Sequence, residues 1–363
     1  MSLPSLLPGE PAPWFVAPSS RGEQFHFSSL GGRYVALLFL GSLSPEPVQA
    51  ALGLVRQRRA LFTSPKACFF AVSMDPADQA SLSATAEEPG IHYFWDPQGA
   101  ISQRYGALVP GDAAAGGGRH YRPFWLVMDP FLRVMARFAL HETDQALDFV
   151  ARLPPVDLHA GMEIPAPVLV LPRVFEPEFC AEMIAHYQNS TPVDSGFMRD
   201  VGGKTVGILD PKFKRRYDVE VDGVLREGAK RRIERRLVPQ IQKAFQFQAT
   251  RIERFLVACY DGDRGGFFGR HRDNTTKATA HRRFAVTINL NADGFTGGEL
   301  CFPEFGSRTY RAPTGGAVVF SCALLHEALP VTSGTRYAFL PFLYDEKGQA
   351  LWEEGQQHLA KES

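Results

Sequence analysis

No excess of either charge marks this chain of 363 residues, in which Lys plus Arg and Asp plus Glu are both 39. Proteins that grip nucleic acid or an anionic membrane carry a basic surplus, so composition excludes a general polyanion binder. Neither half hides a surplus, with 12 basic and 14 acidic groups up to residue 162, then 27 and 25. The densest basic run, Lys230–Arg236, is broken by Ile233 and Glu234 and reads as a solvated helix face. Long apolar runs are also lacking. The longest lies near Tyr34–Leu40, far short of the roughly 18 residues a transmembrane helix needs. The N-terminus has neither the basic start nor the apolar core of a signal peptide, and a cytoplasmic location is the default expectation. Cysteine is scarce: Cys68, Cys180, Cys259, Cys301 and Cys322 are odd in number, far apart and set in apolar stretches. That excludes a disulfide framework and a zinc ribbon and predicts buried free thiols.

What is present is globular. Hydrophobic residues make up 45% and charged residues 21%, enough apolar surface to exclude a disordered chain. The length suits two domains at about 150 residues each, and the 33 Gly and 27 Pro imply many turns and substantial β structure.

In the first half, Tyr34–Leu40 reads as a strand buried on both faces and Pro47–Leu61 as a helix, with Val48, Leu52, Val55 and Leu61 on one face. Cys68–Ser73 is a second buried strand, which completes a βαβ unit with a parallel pair. Trp125–Met128 and Val134–Phe138 form a hairpin around Asp129-Pro130, Thr143–Leu153 is a closing helix, and Pro154-Pro155 marks a joint. Residues 7–153 resemble the peroxiredoxin branch of the thioredoxin-like superfamily. The resemblance rests on Pro8–Phe15, Val72-Ser-Met-Asp75, Phe94–Gly99 with Tyr105-Gly106, and Arg122–Asp129, in family order. That family carries its reactive cysteine after the first long strand, where this chain has Gly41-Ser-Leu-Ser-Pro-Glu-Pro47. Ser44 cannot supply a thiolate, and Cys68 starts a buried strand, so the expectation is a scaffold or recognition domain without redox chemistry.

The second half opens with a helix over about Glu176–Tyr187 and another near Val224–Phe245, interrupted around Pro239. Short strands follow at Phe255–Tyr260, Phe284–Leu290, Glu299–Phe302, Ala317–Phe320 and Tyr337–Leu343, separated by Gly, Asn, Asp and Pro. Such spacing points to a sandwich or jelly roll. Within it, His271-Arg272-Asp273 sets an imidazole and a carboxylate two residues apart, on one side of an extended segment. His326 follows the buried strand Ala317–Phe320. Two histidines and one carboxylate with open positions opposite are the donor set of non-haem Fe(II) oxygenases. Arg336 follows the expected turn Pro330–Thr335, where its guanidinium could hold a carboxylate through two bonds.

Residues 164–344 resemble the Fe(II)/2-oxoglutarate-dependent dioxygenases of the prolyl 4-hydroxylase-like branch. The landmarks are Tyr260-Asp-Gly262, His271-Arg-Asp273, Arg283–Asn291, Gly297–Phe302, Gly315–Ser321, His326 and Gly334-Thr-Arg336. The resemblance implies His271, Asp273 and His326 as iron ligands, Arg336 as partner of the distal carboxylate of 2-oxoglutarate, and Tyr260 as a lining residue of that pocket. It also implies dioxygen as oxidant, decarboxylation to succinate, hydroxylation of an aliphatic C–H, and ascorbate as an available reductant. Collagen-type members hold the distal carboxylate with lysine, so the arginine leaves a collagen-type substrate unsecured. Gly297-Gly298 reads as a close approach between strands, Gly265-Gly266 as a lip before the metal strand, and His281, Arg282 and Arg283 as substrate-contact candidates at the entrance.

The expected fold class is therefore two domains: an α/β thioredoxin-like domain over residues 1–155, then a double-stranded β-helix (jelly roll) with flanking helices over 163–346. Residues 347–363 form a tail. The expected substrate is a prolyl or other residue of a peptide or protein, with a free amino acid or small natural product as the alternative. A thiol or peroxide oxidoreductase and a non-catalytic iron or 2-oxoglutarate-binding module remain open. No nucleic-acid or membrane partner is expected, and the oligomeric state is not readable.

Overall fold

The computed structural model describes residues 6–83, 88–110 and 118–359. Residues 1–5 of the N-terminal reading and the last four of the tail fall outside these. The chain divides into two compact units, Met1–Ile164 with Pro303–Gly306, and Pro165–Phe302 with Ser307–Ser363.

The first unit is built on seven strands: β1 (Val16–Ser19), β2 (Gly22–His26), β3 (Tyr34–Gly41), β4 (Ala67–Ser73), β5 (Ile91–Trp95), β6 (Phe124–Met128) and β7 (Val134–Ala139), in the order β2-β1-β5-β4-β3-β6-β7. The predicted β3/β4 pair is parallel and the β6/β7 hairpin antiparallel. The unbroken apolar run of β3 follows from its two covered faces. Tyr34, Ala36 and Leu38 pack with Val48, Leu52 and Val55 of helix α1 (Glu46–Gln57) and Leu147 of α2 (Thr143–Arg152). The intervening Val35, Leu37 and Phe39 pack on the other side with Phe27, Phe94 and Phe124. Each buried aliphatic or aromatic side chain of this kind contributes about 1.5–3 kcal/mol.

In the second unit a large antiparallel sheet orders its main strands as β8 (Leu169–Leu171), β15 (Ala317–Ser321), β13 (Phe284–Asn289), β17 (Val331–Phe339), β11 (Leu256–Asp261), β10 (Tyr217–Glu220) and β9 (Val193–Asp194). A second sheet contains β12 (Phe267–His271), β16 (His326–Ala328) and β14 (Leu300–Cys301), with two-residue strands at its edges. The period of two decides what each strand face does. Val257 and Cys259, Val286 and Ile288, and Ala317 and Val319 point into a core shared with helix α3 (Pro177–Gln188), helix α4 (Gly223–Arg232) and helix α5 (Val238–Phe245). The alternate residues Tyr260, Thr287, Phe320 and Arg336 line a cavity between the two sheets.

Departures from and refinements of the sequence reading have local causes. The interruption in the second helix is a π-helical segment, Ile233–Leu237, just before Pro239. Proline offers no amide to the residue four before it and its ring crowds that carbonyl, so the helix widens there. Val331–Thr335 is strand rather than turn, because pairing with Phe295–Gly297 extends β17 back to Val331. The last predicted strand splits at Leu340-Pro341 into β17 and Phe342–Tyr344. Helix α6 (Glu346–Gln356), capped by Asp345 accepting from the Gly348 amide, follows. Of the basic run, Arg232 and Arg236 are not merely solvated, since both pair with Glu176.

Candidate metal centre

His271 ends β12 and His326 begins β16, and the two are direct register partners across an antiparallel pair. Asp273 lies beyond the end of β12, with its amide donating to the Cys322 carbonyl at 3.0 Å. The His271–Asp273 pair thus meets through a strand end and the turn after it, rather than through one continuous strand. The Nε2 atoms of His271 and His326 stand 3.4 Å from Oδ1 and Oδ2 of Asp273 respectively. All three ligand atoms lie within 4.8 Å of one another, the metal-type cluster found among the described residues. Donors about 2.1 Å from one ion stand about 3 Å apart when at right angles, so the set fits a metal with little movement.

Both imidazoles are oriented from behind. Nδ1 of His271 donates to the Gly269 carbonyl at 2.7 Å and Nδ1 of His326 to the Leu324 carbonyl at 3.0 Å, which leaves each Nε2 lone pair facing inward. The His271 ring stacks on Phe268 at 3.5 Å, and the His326 ring meets Phe320 edge-on at 4.6 Å. Burial, reinforced by His271, pushes His326 down to about 4, so it is neutral at pH 7. Burial opposes the charge on Asp273, yet the imidazoles of His326 and His271 hold its carboxyl well below the usual range. An anionic carboxylate beside a neutral imidazole is the kind of donor pairing a divalent cation requires.

Arg336 lines the same cavity as the triad. It is buried, its Nε reaches Asn289 Oδ1 only at 3.4 Å, and its Nη1 has no hydrogen-bond partner among the described residues. Its guanidinium lies 4.9 Å from the ring of Tyr260, its register partner on β11. A buried cation with an unused donor costs free energy until an acceptor arrives, and a carboxylate is the acceptor that matches its planar fork. Gly298 gives Arg336 room: a Cβ there would stand 2.8 Å from Val331 Cγ2 and 3.2 Å from Arg336 Cδ. Gly297 bears out the close approach as well, since a Cβ there would collide with the Pro330 carbonyl. Gly265-Gly266 close a hydrogen-bonded turn before β12.

The entrance triplet is corrected. His281 Nε2 bonds Glu253 at 2.6 Å, Arg282 forks onto the same carboxylate at 2.7 and 3.0 Å, and Arg283 donates to the Ala280 carbonyl. The first two are committed to the part-buried Glu253 carboxylate and none of the three lines the cavity. The sequence reading missed Arg216 and Arg254, which do line it. The Arg216-Tyr217-Asp218 alternation was the available signal, because it sets two opposite charges on one strand face.

In the first unit, Ser44 is exposed at the position where a thiolate was expected to be missing. Two carboxylates attend that turn, Asp75 accepting from Ser42 Oγ and Asp78 from the Leu43 amide, both at 2.9 Å. Cys68 is fully buried and its thiol is pushed up to about 12 by burial.

Residues 255–344 match the 2OG-Fe(II) oxygenase superfamily and residues 8–132 match the AhpC/TSA family. The chain joins an AhpC/TSA domain to a 2OG-Fe(II) oxygenase domain. The oxygenase domain contains the intact His271/Asp273/His326 triad on a double-stranded β-helix-like pair of sheets. Similar curated proteins include a PKHD-type hydroxylase of Synechococcus sp. (strain JA-2-3B'a(2-13)), 30% identical over 118 residues, which cover 30% of this chain. The chain spans about half the length of that relative, 52%. A PKHD-type hydroxylase of Cupriavidus metallidurans is 29% identical over 181 residues, covering 47% of this chain and 75% of the relative. Among solved structures, a prolyl hydroxylase from Trichoplax adhaerens in complex with a hypoxia inducible factor peptide fragment is similar at 18% identity and a TM-score of 0.39, over 54% of this chain and 89% of that one. Among the described residues no helix is long and apolar enough to cross a membrane.

Proposed function

We propose that this protein is an Fe(II)- and 2-oxoglutarate-dependent hydroxylase acting on an aliphatic C–H of a peptide or protein residue. The observation that carries the reading is one cavity lined by both a three-donor metal cluster and a buried arginine with an unused donor. His271, Asp273 and His326 would hold the iron. Arg336 would anchor the distal carboxylate of 2-oxoglutarate, and Tyr260 would form the wall beside it. When bound, iron with 2-oxoglutarate and dioxygen supplies the oxidising power, with succinate and carbon dioxide as the coproducts. The residues of the chain orient these groups: the Gly269 and Leu324 carbonyls fix the imidazoles, and apolar Phe268, Phe320 and Leu300 on the cavity wall limit water. The hydroxylase names of the relatives support the reading.

A thiol or peroxide activity is disfavoured by the buried, strongly raised Cys68 thiol and by the carboxylates around Ser44. The AhpC/TSA domain is read as a scaffold or recognition module. Succinate formation from 2-oxoglutarate, first alone and then with peptide and amino-acid pools, tests the proposal. Succinate made only with Fe(II) and stimulated by peptides supports it, stimulation by amino acids alone moves the substrate to the small-molecule class, and no succinate under any condition overturns it.

A further inference from the structure

One wall of the metal cavity carries more positive charge than the metal and its cosubstrate can use. Along that wall, Arg216 lies 5.9 Å from the ring of Tyr260, and both Arg216 and Arg254 face the cavity. Lys214, buried beside them, lies 4.6 Å from the ring of Phe268. Asp218 is fully engaged by Arg216, which donates to it at 2.7 and 2.6 Å, and by Ser195 Oγ at 2.5 Å. Lys214 Nζ donates to the same Ser195 hydroxyl at 2.7 Å. Arg254 comes no nearer to Asp218 than 3.9 Å and makes no hydrogen bond among the described residues. On its other side, Arg282 is already matched by Glu253. Arg216 is thus matched by Asp218 and Arg282 by Glu253, while Lys214 is held by the Ser195 hydroxyl and the Gly196 carbonyl and is pushed well below its ordinary value by burial; Arg254 is the arginine left without a close carboxylate.

The charges elsewhere in the cavity do not absorb this surplus. A divalent ion on Asp273 and a dianion on Arg336 would leave the metal end neutral, so the excess on the Arg254 side persists. The backbone of Arg254 adds a second observation. Its φ is +64°, a left-handed conformation that costs a non-glycine residue of order 1 kcal/mol or more and that clusters at ligand-binding positions. Its guanidinium is held over the ring of Phe342 at 5.1 Å, while Arg282 covers the same ring at 4.0 Å. Burial and the neighbouring Arg216 push Arg254 down to about 10, still a cation at neutral pH.

We infer that the substrate carries a carboxylate near the reacting C–H and that Arg254, backed by Arg216, binds it. This rests on the hydroxylase reading above and narrows its substrate class. The carboxylate has two possible sources, the acidic side chain of a peptide residue or the acidic side chain of a free amino acid.

The test uses the full chain loaded with Fe(II) and 2-oxoglutarate without dioxygen, so that binding is read without turnover. The probes are two proline-containing peptide libraries with an uncharged fluorophore, identical except that one has Asp and Glu where the other has Asn and Gln, together with free glutamate and glutamine followed by calorimetry. The inference expects the acidic member of at least one pair to bind at least about tenfold tighter, with the preference lost in Arg254→Gln and partly restored in Arg254→Lys. A preference in the peptides or in the free amino acids identifies the source. Equal binding within both pairs of wild-type protein overturns the inference without any variant, and so does a preference that survives Arg254→Gln. Failure of the hydroxylase reading is distinguishable, because it appears as absent Fe(II)-dependent succinate formation in wild-type protein whatever the charge preference.

Discussion

On the proposed function, Arg336 and the metal ligands would hold opposite ends of the same cosubstrate, so their losses should separate. Arg336→Ala is expected to retain Fe(II) and to raise the 2-oxoglutarate requirement at least about tenfold, because a charge-assisted bond is worth about 1.5–3 kcal/mol. Arg336→Lys recovers part of the loss, since charge returns without the planar fork. Succinate formation against 2-oxoglutarate at saturating iron measures both, and an unchanged half-saturation in Arg336→Ala would assign the anchor elsewhere. His271→Ala and Asp273→Ala lose iron instead, and full Fe(II) stoichiometry in both would reject the triad. These residues were legible because each chemistry needs a particular side chain, and His271-x-Asp273 and His326 offered it. Arg254 was not legible, since nothing in its immediate sequence distinguishes it from a surface arginine; its left-handed backbone and its lack of a hydrogen bond exist only in the folded chain. A residue-scale pH effect follows from Glu253. Burial raises its carboxyl, but Arg282 and His281 win and hold it at about 2, below the ordinary 4.5. A depressed folded value means the pair stabilises fully above about pH 4.5 and loses that contribution as pH falls through about 2. Glu253→Gln should therefore cost on the order of 3 kcal/mol near neutrality, by denaturant titration, with the gap to wild type closing as pH drops. A gap constant from pH 6 to pH 3 would contradict this.

At the scale of elements, the glycine pair shows how backbone approach sets up chemistry. Gly298 has φ +71° and packs on Val331 and Arg336. Gly298→Ala should lower stability by about 1–3 kcal/mol and raise the 2-oxoglutarate requirement, while Fe(II) binding persists. Wild-type cosubstrate affinity in this variant would mean that the strand yields without moving the guanidinium. The doubled glycine was readable as a close approach, and β3, β4, β13 and β15 were readable from their apolar runs. The start of β17 was not: Val331–Thr335 has the composition of a turn, and only its pairing with Phe295–Gly297 makes it a strand. Likewise Pro239 signalled an interruption, but the answer to it, a wider helical segment upstream, depends on packing of Ile233 and Leu237 in the core.

For the whole molecule, the two domains divide the chemistry unequally. The AhpC/TSA domain keeps its core on both faces of β3 but has serine and carboxylates where a thiolate would be needed. The full-length protein should consume peroxide with a thiol reductant no faster than free thiol does, and Cys68→Ser should change nothing; Cys68-dependent turnover would overturn the assignment. The metal cavity draws on residues from Arg216 to Phe342, and such long-range assembly explains why motifs announced the triad while the cationic wall emerged only with the fold. The most direct measurement of the central claim is succinate formation from 2-oxoglutarate by full-length protein titrated with Fe(II), beside Asp273→Ala under the same conditions. The account predicts activity that saturates near one Fe(II) per chain and is absent from the variant. Activity independent of added Fe(II), or equal in Asp273→Ala, would contradict it.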